Sequence, residues 1–276
     1  MVTFLALAAA ALAGTGDFFG GKATKKTNII SVLAISHLLG LFVILIIAPL
    51  MADEFKSSDF FLGVLASSFG LCGLALLYRG LARGPMAIVA PITAVACATL
   101  PVIWGVLSGE KLSTTQLIGI LIGIIAIFLV SWIPGQSKPI KSSLIVEAVI
   151  AGLGFGAFFI VIDGTSETTA PWPVVGSRVF SVLAIFLFVF IAKKNIKPAE
   201  NSISLIIGAG VFDTFANIVL LAALNKGFLS LVSVLASFYP AVTVLLARIF
   251  LKELMVKSQV FGLALGLTSI ALLAAS

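Results

Sequence analysis

"GEKLSTTQLIGILIG" (109–123) opens on a charged turn and runs into an apolar stretch, and "KELMVKSQVFGLALG" (252–266) repeats the pattern near the other end of the chain. Each has a Glu, a Gln six residues on, a Gly three later and a second Gly four after that. The first set is Glu110, Gln116, Gly119 and Gly123; the second is Glu253, Gln259, Gly262 and Gly266. Glu and Gln are scarce here, so their return in one register marks an internal duplication. The same register lays the turn "ARG" (82–84) on "NKG" (225–227). With loop gaps allowed upstream, "AGTG" (13–16) falls on "AGLG" (151–154), and Ser36-His37 on Ser177-Arg178.

Composition says what is duplicated. Hydrophobic residues make up 61% of the 276, charged residues only 10%, and the mean hydropathy is +1.24; a soluble domain carries about a quarter charged residues. Apolar runs near the roughly 20 residues that cross a bilayer as a helix recur at about 2–21, 28–51, 59–79, 86–107, 114–133, 143–162, 172–192, 202–223, 228–250 and 258–275. The expectation is an all-α membrane protein of ten transmembrane helices, with a first five-helix repeat at 1–135 and a second at 142–276. An odd number of crossings per repeat forces the second to insert upside down, an arrangement typical of secondary transporters.

Loop charges test the count. Loops after spans 1, 3, 5, 7 and 9 hold Lys22, Lys25, Lys26, Arg79, Arg83, Lys138, Lys141, Lys193, Lys194, Lys197, Arg248, Lys252 and Lys257; the opposite loops hold Lys56, Lys111 and Lys226. Thirteen against three places the first set in the cytoplasm and both termini, Met1 and Ser276, outside it. The net charge of +6 is thereby accounted for by topology, and no nucleic-acid partner is expected. Trp132 and Trp172 fall at span ends, as an interfacial belt requires. The apolar start "MVTFLALAAAALAGTG" lacks the positive leading region of a signal peptide, so it reads as the first span.

The opening motif reads as structural. Glycines one turn apart let membrane helices approach closely, so spans 5 and 10 are expected to pack through Gly119, Gly123, Gly262 and Gly266, whereas Gly40 is expected to tolerate a larger side chain. Ser113 and Gln116 have the spacing of a capping box; the second copy has Val256 in place of the Ser. Glu110 and Glu253 stand just before their helices, near positive dipole ends. Cys72 and Cys97 lie in apolar spans without metal-ligand companions and read as small buried side chains.

Ionisable residues inside a bilayer are costly and are functional candidates by default. Asp213 lies near the middle of span 8 with Asn217 one turn on; Arg178 lies in span 7, His37 in span 2, and Asp17 near the inner end of span 1. For Asp213 and Arg178 two readings stand: lining a cavity for substrate, or a structural hydrogen bond or snorkelling contact. Asp17 and His37 are the candidates for proton coupling, His37 because imidazole titrates near neutrality; a satisfied packing residue is the other reading of this lone histidine. Ser230, Ser233 and Ser237 form a stripe on span 9, with Ser237 a candidate substrate contact.

Five motifs in order complete the picture: "GTGDFFGGKATKK" (14–26), "YRGLARGPMAIVAPITA" (78–94), "SGEKLSTTQLIGILIG" (108–123), "PWPVVGSRVF" (171–180) and "FYPAVTVLLARIFLKEL" (238–254). With these the chain resembles EamA-type members of the drug/metabolite transporter superfamily. The resemblance implies a ten-helix transporter with a central cavity lined mainly by spans 1–4 and 6–9. Two places depart from the family pattern: Cys97 stands at the repeat-equivalent of Pro240, and the Arg expected in span 2 is His37. "AALNKG" (222–227) resembles a loop of nucleotide-sugar transporters in the same superfamily, which makes Asn225 and Lys226 possible ligand groups; a plain turn is the other reading.

The expected function is secondary active transport of a small polar metabolite such as an amino acid, with export as the commoner family direction and protons as a possible coupling ion. A sugar, nucleoside or nucleotide-sugar is the alternative cargo, and a non-transport membrane scaffold the alternative of another class. An enzyme is not expected, since a lone His offers no nucleophile–base pair or metal set and no phosphate-binding loop is present. Neither metal nor cofactor is expected. The setting is the cell (inner) membrane, with the lipid bilayer as partner, and the protein as monomer or homodimer.

Overall fold

A backbone inside a bilayer must satisfy its own polar groups, and the helix does so within one segment. The computed structural model describes residues 1–84, 86–131, 142–251 and 256–275; Pro85, Trp132, Lys138, Lys141, Lys252, Glu253 and Ser276 lie outside them. Its α-helices are α1 (Val2–Thr24), α2 (Ile29–Met51), α3 (Ser57–Arg83), α4 (Met86–Leu107), α5 (Thr114–Ser131), α6 (Ser142–Asp163), α7 (Trp172–Ile191), α8 (Ile203–Leu224), α9 (Leu229–Ala236), α10 (Tyr239–Leu251) and α11 (Lys257–Ala274). Six of these, α1, α2, α3, α6, α7 and α8, are long and apolar enough to cross a membrane. Shorter apolar stretches lie at Ile92–Leu107, Thr114–Leu129, Leu229–Thr243 and Lys257–Leu273.

Caps follow the local sequence. Asn28 accepts a hydrogen bond from the Ile30 N–H at 3.0 Å to open α2. The Ser113–Gln116 box closes in both directions, Ser113 N–H to Gln116 Oε1 at 2.8 Å and Gln116 N–H to Ser113 Oγ at 3.2 Å. At α11 only half survives: Val256 N–H donates to Gln259 Oε1 at 3.1 Å, and the valine side chain has nothing to return. Glu110 caps a helix in the other half of the chain, its carboxylate facing the Ser230 N–H of α9 at 3.3 Å, where the sequence suggests its own α5.

The ninth apolar run is not one helix. It breaks between Ala236 and Tyr239, where α9 ends and α10 begins. Pro240 has no N–H to return to the Ala236 carbonyl, so the ladder cannot continue through it, and Phe238 and Ala241 make i→i−3 bonds instead.

Corresponding contacts recur in the two halves. A side chain at Gly14 would strike the Tyr239 backbone; at Gly152 it would strike the backbone of Thr93 and the Ala96 methyl. Gly16 packs on Phe212 and Asp213, as Gly154 does on Phe69 and Gly73. The register that overlays the opening motifs pairs Tyr239 with Ala96 and Phe212 with Phe69. Gly119 backs onto Leu272 and Leu273, Gly123 onto Ser269 and Val234, and Ser269 donates to the Gly119 carbonyl at 2.7 Å, so α5 packs on α11 through the glycines of α5, whereas Gly266 of α11 faces Phe238 instead. Gly40 departs from expectation: a side chain there would run into Thr214 Oγ1 and sit 3.3 Å from Arg178 Nε. Cys97 is buried, but Cys72 is exposed on the surface of α3.

The two ends of the bundle are tied differently. At one end, Asp53 and Glu54 donate their N–H groups to the Thr168 carbonyl at 3.0 and 3.2 Å. The buried Asp59 carboxylate accepts from the Ser166 N–H at 2.9 Å and Thr169 Oγ1 at 2.6 Å, and Phe55 meets Trp172 edge-on. Lys226 pairs with Glu167 there. The corresponding loops at the other end share a hydrogen bond from Ala199 N–H to Thr27 Oγ1 at 3.2 Å. Half-exposed Arg79 and exposed Arg83 approach Glu147 at 3.4 and 3.9 Å on that side.

Two outcomes follow. Gly119→Leu drives a side chain into Leu273, and overpacking costs typically about 1–3 kcal/mol; its melting temperature in detergent falls well below that of Ile118→Leu, an exposed position on the same helix. Asp59→Ala leaves the Ser166 and Thr169 donors without their acceptor, worth about 1–3 kcal/mol, and amide exchange across 165–169 accelerates while α5 and α11 keep their protection.

Candidate functional site

The buried apolar core separates into two clusters. One is built around Ile44, Ile162, Leu221 and Leu235, the other around Val32, Leu77, Tyr78 and Ile206. A cavity of about 110 Å³ touches both and collects the ionisable residues singled out above. Asp17 from α1, His37 from α2, Arg178 from α7, and Asp213 and Asn217 from α8 all line it.

Arg178 is the centre. Its side chain is 3% exposed. Nη2 donates to Asp213 Oδ2 at 2.5 Å and Nη1 lies 3.1 Å from His37 Nδ1. Asn217 Nδ2 donates to the Asp213 carbonyl at 2.7 Å and approaches Oδ1 at 3.3 Å, which holds the carboxylate toward the arginine. Asp17 differs from Asp213: among the described residues no cation pairs with it. The cavity thus holds one compensated ion pair and one uncompensated acid.

Small residues make this geometry possible. Helices α2 and α8 cross closely, with Gly40 against the Thr214 hydroxyl and Gly210 against the Ser36 backbone. The clearance at Gly40 admits the arginine stem. On the opposite side Ser67 and Ser181 share a hydrogen bond of 2.6 Å between α3 and α7. Gly16 brings α1 against the Asp213 backbone, which sets Asp17 beside Asp213. Thr243 Oγ1 ties α10 to the Gly14 carbonyl at 3.0 Å.

Three candidates lie elsewhere. Asn225 and Lys226 are at the end of α8, with Lys226 paired to Glu167, away from the cavity lining. Ser237 is fully buried and is not among the residues that line the cavity. Sequence reasoning missed Tyr239, which lines the cavity at the α9–α10 break with a buried hydroxyl that has no partner among the described residues. Its signal was the Pro240 that follows. It also missed Phe155, Phe158 and Phe159, which supply an apolar wall from α6.

Helices long and apolar enough to cross a membrane surround a small, largely apolar chamber that holds an ion pair, an arrangement compatible with a membrane transporter. The EamA-like transporter family model matches twice, over residues 1–132 and 142–275, and the chain belongs to this family. The uncharacterized protein MJ1333.1 of Methanocaldococcus jannaschii is 30% identical over 135 residues, which are 47% of this chain and 97% of that one. A crystal structure of another protein shares the fold, with a TM-score of 0.70 at 14% identity, covering 99% of this chain and 98% of that one.

Removing one member of a fully buried pair costs about 3–5 kcal/mol, whereas replacing both with apolar groups is often neutral or stabilising; here the Asp213 side chain is 28% exposed, so the cost is smaller. Arg178→Met and Asp213→Leu therefore each lower the melting temperature, and the double variant recovers most of the loss. A double variant that still transports would reduce the pair to a packing element.

Proposed function

We propose that the protein is a secondary active transporter, an exporter of a small polar metabolite such as an amino acid, working by alternating access between two inverted five-helix repeats, 1–135 and 142–276. The observation that carries this is the Arg178–Asp213 pair, set in a chamber between apolar layers. A scaffold gains nothing from a costly ion pair that lines a cavity. The repeated glycine contacts support the inverted arrangement. The asymmetry of loop charge supports a position in the cell membrane with both termini on the non-cytoplasmic side. The tightly hydrogen-bonded end then faces outward, and the end with the loose Arg79–Glu147 and Arg83–Glu147 approaches faces the cytoplasm.

Size and charge narrow the cargo. Pockets for drug-sized ligands occupy about 300–1,000 Å³, so a chamber of about 110 Å³ suits a solute of few heavy atoms better than a nucleotide-sugar. Positive and negative groups on one wall suit a zwitterion. Asp17, the acid without a cation, is the seat of a transported proton in this reading.

Uptake into proteoliposomes, with and without a pH gradient, tests it. Asp17→Asn loses gradient-driven accumulation but keeps downhill exchange, and Asp213→Asn loses both. Wild-type rates from both variants would leave the carboxylates as structural groups. A C-terminal reporter active only in the cytoplasm stays silent; strong activity would overturn the orientation.

A further inference from the structure

His37 is read from the sequence as a proton carrier, but its surroundings assign it other work. A guanidinium has donors and no acceptor. With Arg178 Nη1 at 3.1 Å from His37 Nδ1, Nδ1 must be the acceptor, so the ring is neutral and its one hydrogen sits on Nε2. That nitrogen is buried and has no partner among the described residues, while the residue, 4% exposed, lines the cavity. A second proton would set two donors and two positive charges against each other. The other charged groups lining the cavity among the described residues are Asp17 on α1 and Asp213 on α8, and Asp213 already accepts from Arg178.

A buried N–H without an acceptor is expensive, and a polar chamber is where a ligand can supply one. We propose that His37 is a fixed, uncharged donor: its Nε2–H, beside the Arg178 guanidinium, receives a carboxylate oxygen of the solute and takes no part in carrying protons. The ligand in this assignment rests on the transport reading above; the tautomer does not. His37 thereby becomes a specificity-determining residue that selects solutes bearing a carboxylate. Proton coupling is left to Asp17 alone.

The chain has a single histidine, so protein labelled with [15N]histidine reports this one ring. Across about pH 8 to about pH 5, the span in which an ordinary imidazole titrates, Nδ1 stays unprotonated and Nε2 keeps its hydrogen. Adding acetate or glycine moves the Nε2–H resonance, and adding methylamine does not. In thermal-shift measurements with acetate and glycine, His37→Gln, which retains an N–H at similar reach, keeps a stabilisation that His37→Phe loses. A ring that gains a second proton within that range overturns the fixed-donor assignment. A resonance that moves with methylamine alone, or with none of the three, overturns the carboxylate subsite. Proteoliposomes that move no solute would sink the transport reading and leave the histidine spectrum as it is, so the two failures are separable.

Discussion

A guanidinium buried within a helical bundle must be compensated by groups already in place, because burial strips it of water and an arginine does not shed its proton. Arg178 meets that demand with Asp213 on one side and His37 on the other. Each partner must be brought to it by a different helix. The close crossing of α2 and α8 at Gly40 and Gly210, the approach of α1 through Gly16, and the bracing of Asp213 by Asn217 all serve this one placement. The cost of getting it wrong explains why the smallest residues stand next to the most polar ones.

Much of the fold could be read in advance because bilayers leave so few options. Apolar run length and loop charge pointed to the helices, and the Ser113–Gln116 box and the seam at Gly119 and Gly123 follow from helix-local rules. What escaped were properties of crossings. The dipole argument for Glu110 was sound in kind, but the helix end it serves, Ser230 of α9, belongs to the other half. Gly40 looked like an idle glycine because nothing local says that an arginine from α7 passes beside it. Asp17, His37, Arg178, Asp213 and Asn217 stood out by the cost of polarity in lipid, yet the pairing among them depends on helix rotation. Asn225 and Lys226 stood out by a short motif, and that signal led to the end of the bundle instead of the chamber.

The two halves resemble each other most in their glycine contacts and least in the chamber. Gly14 and Gly16 have close counterparts in Gly152 and Gly154, while Asp213 matches Gly70 and Asp17 matches Phe155 in the repeat register. Shared scaffold and unshared chemistry is the pattern expected when a duplicated packing unit is fixed by close helix contact and its lining is free to diverge. The break at Pro240 belongs to the same divergence, since α4 runs unbroken through the equivalent Cys97, and it brings the Tyr239 hydroxyl to the chamber from one half only.

His37 and Arg178 occupy matching places in the two repeats, and they touch. Two equivalent positions can meet only on the axis that relates the halves. In a carrier of inverted repeats that same axis converts the outward-open shape into the inward-open one. A contact lying on it is carried onto itself by the operation, so it belongs to both shapes. The hydrogen bonds of Asp59 with Ser166 and Thr169 lie far from it, and that operation would carry them to the opposite end, where among the described residues the corresponding loops share the Ala199–Thr27 hydrogen bond. On the transport reading proposed above, the imidazole–guanidinium contact is the stationary point of the cycle, and the loop contacts are what is exchanged around it.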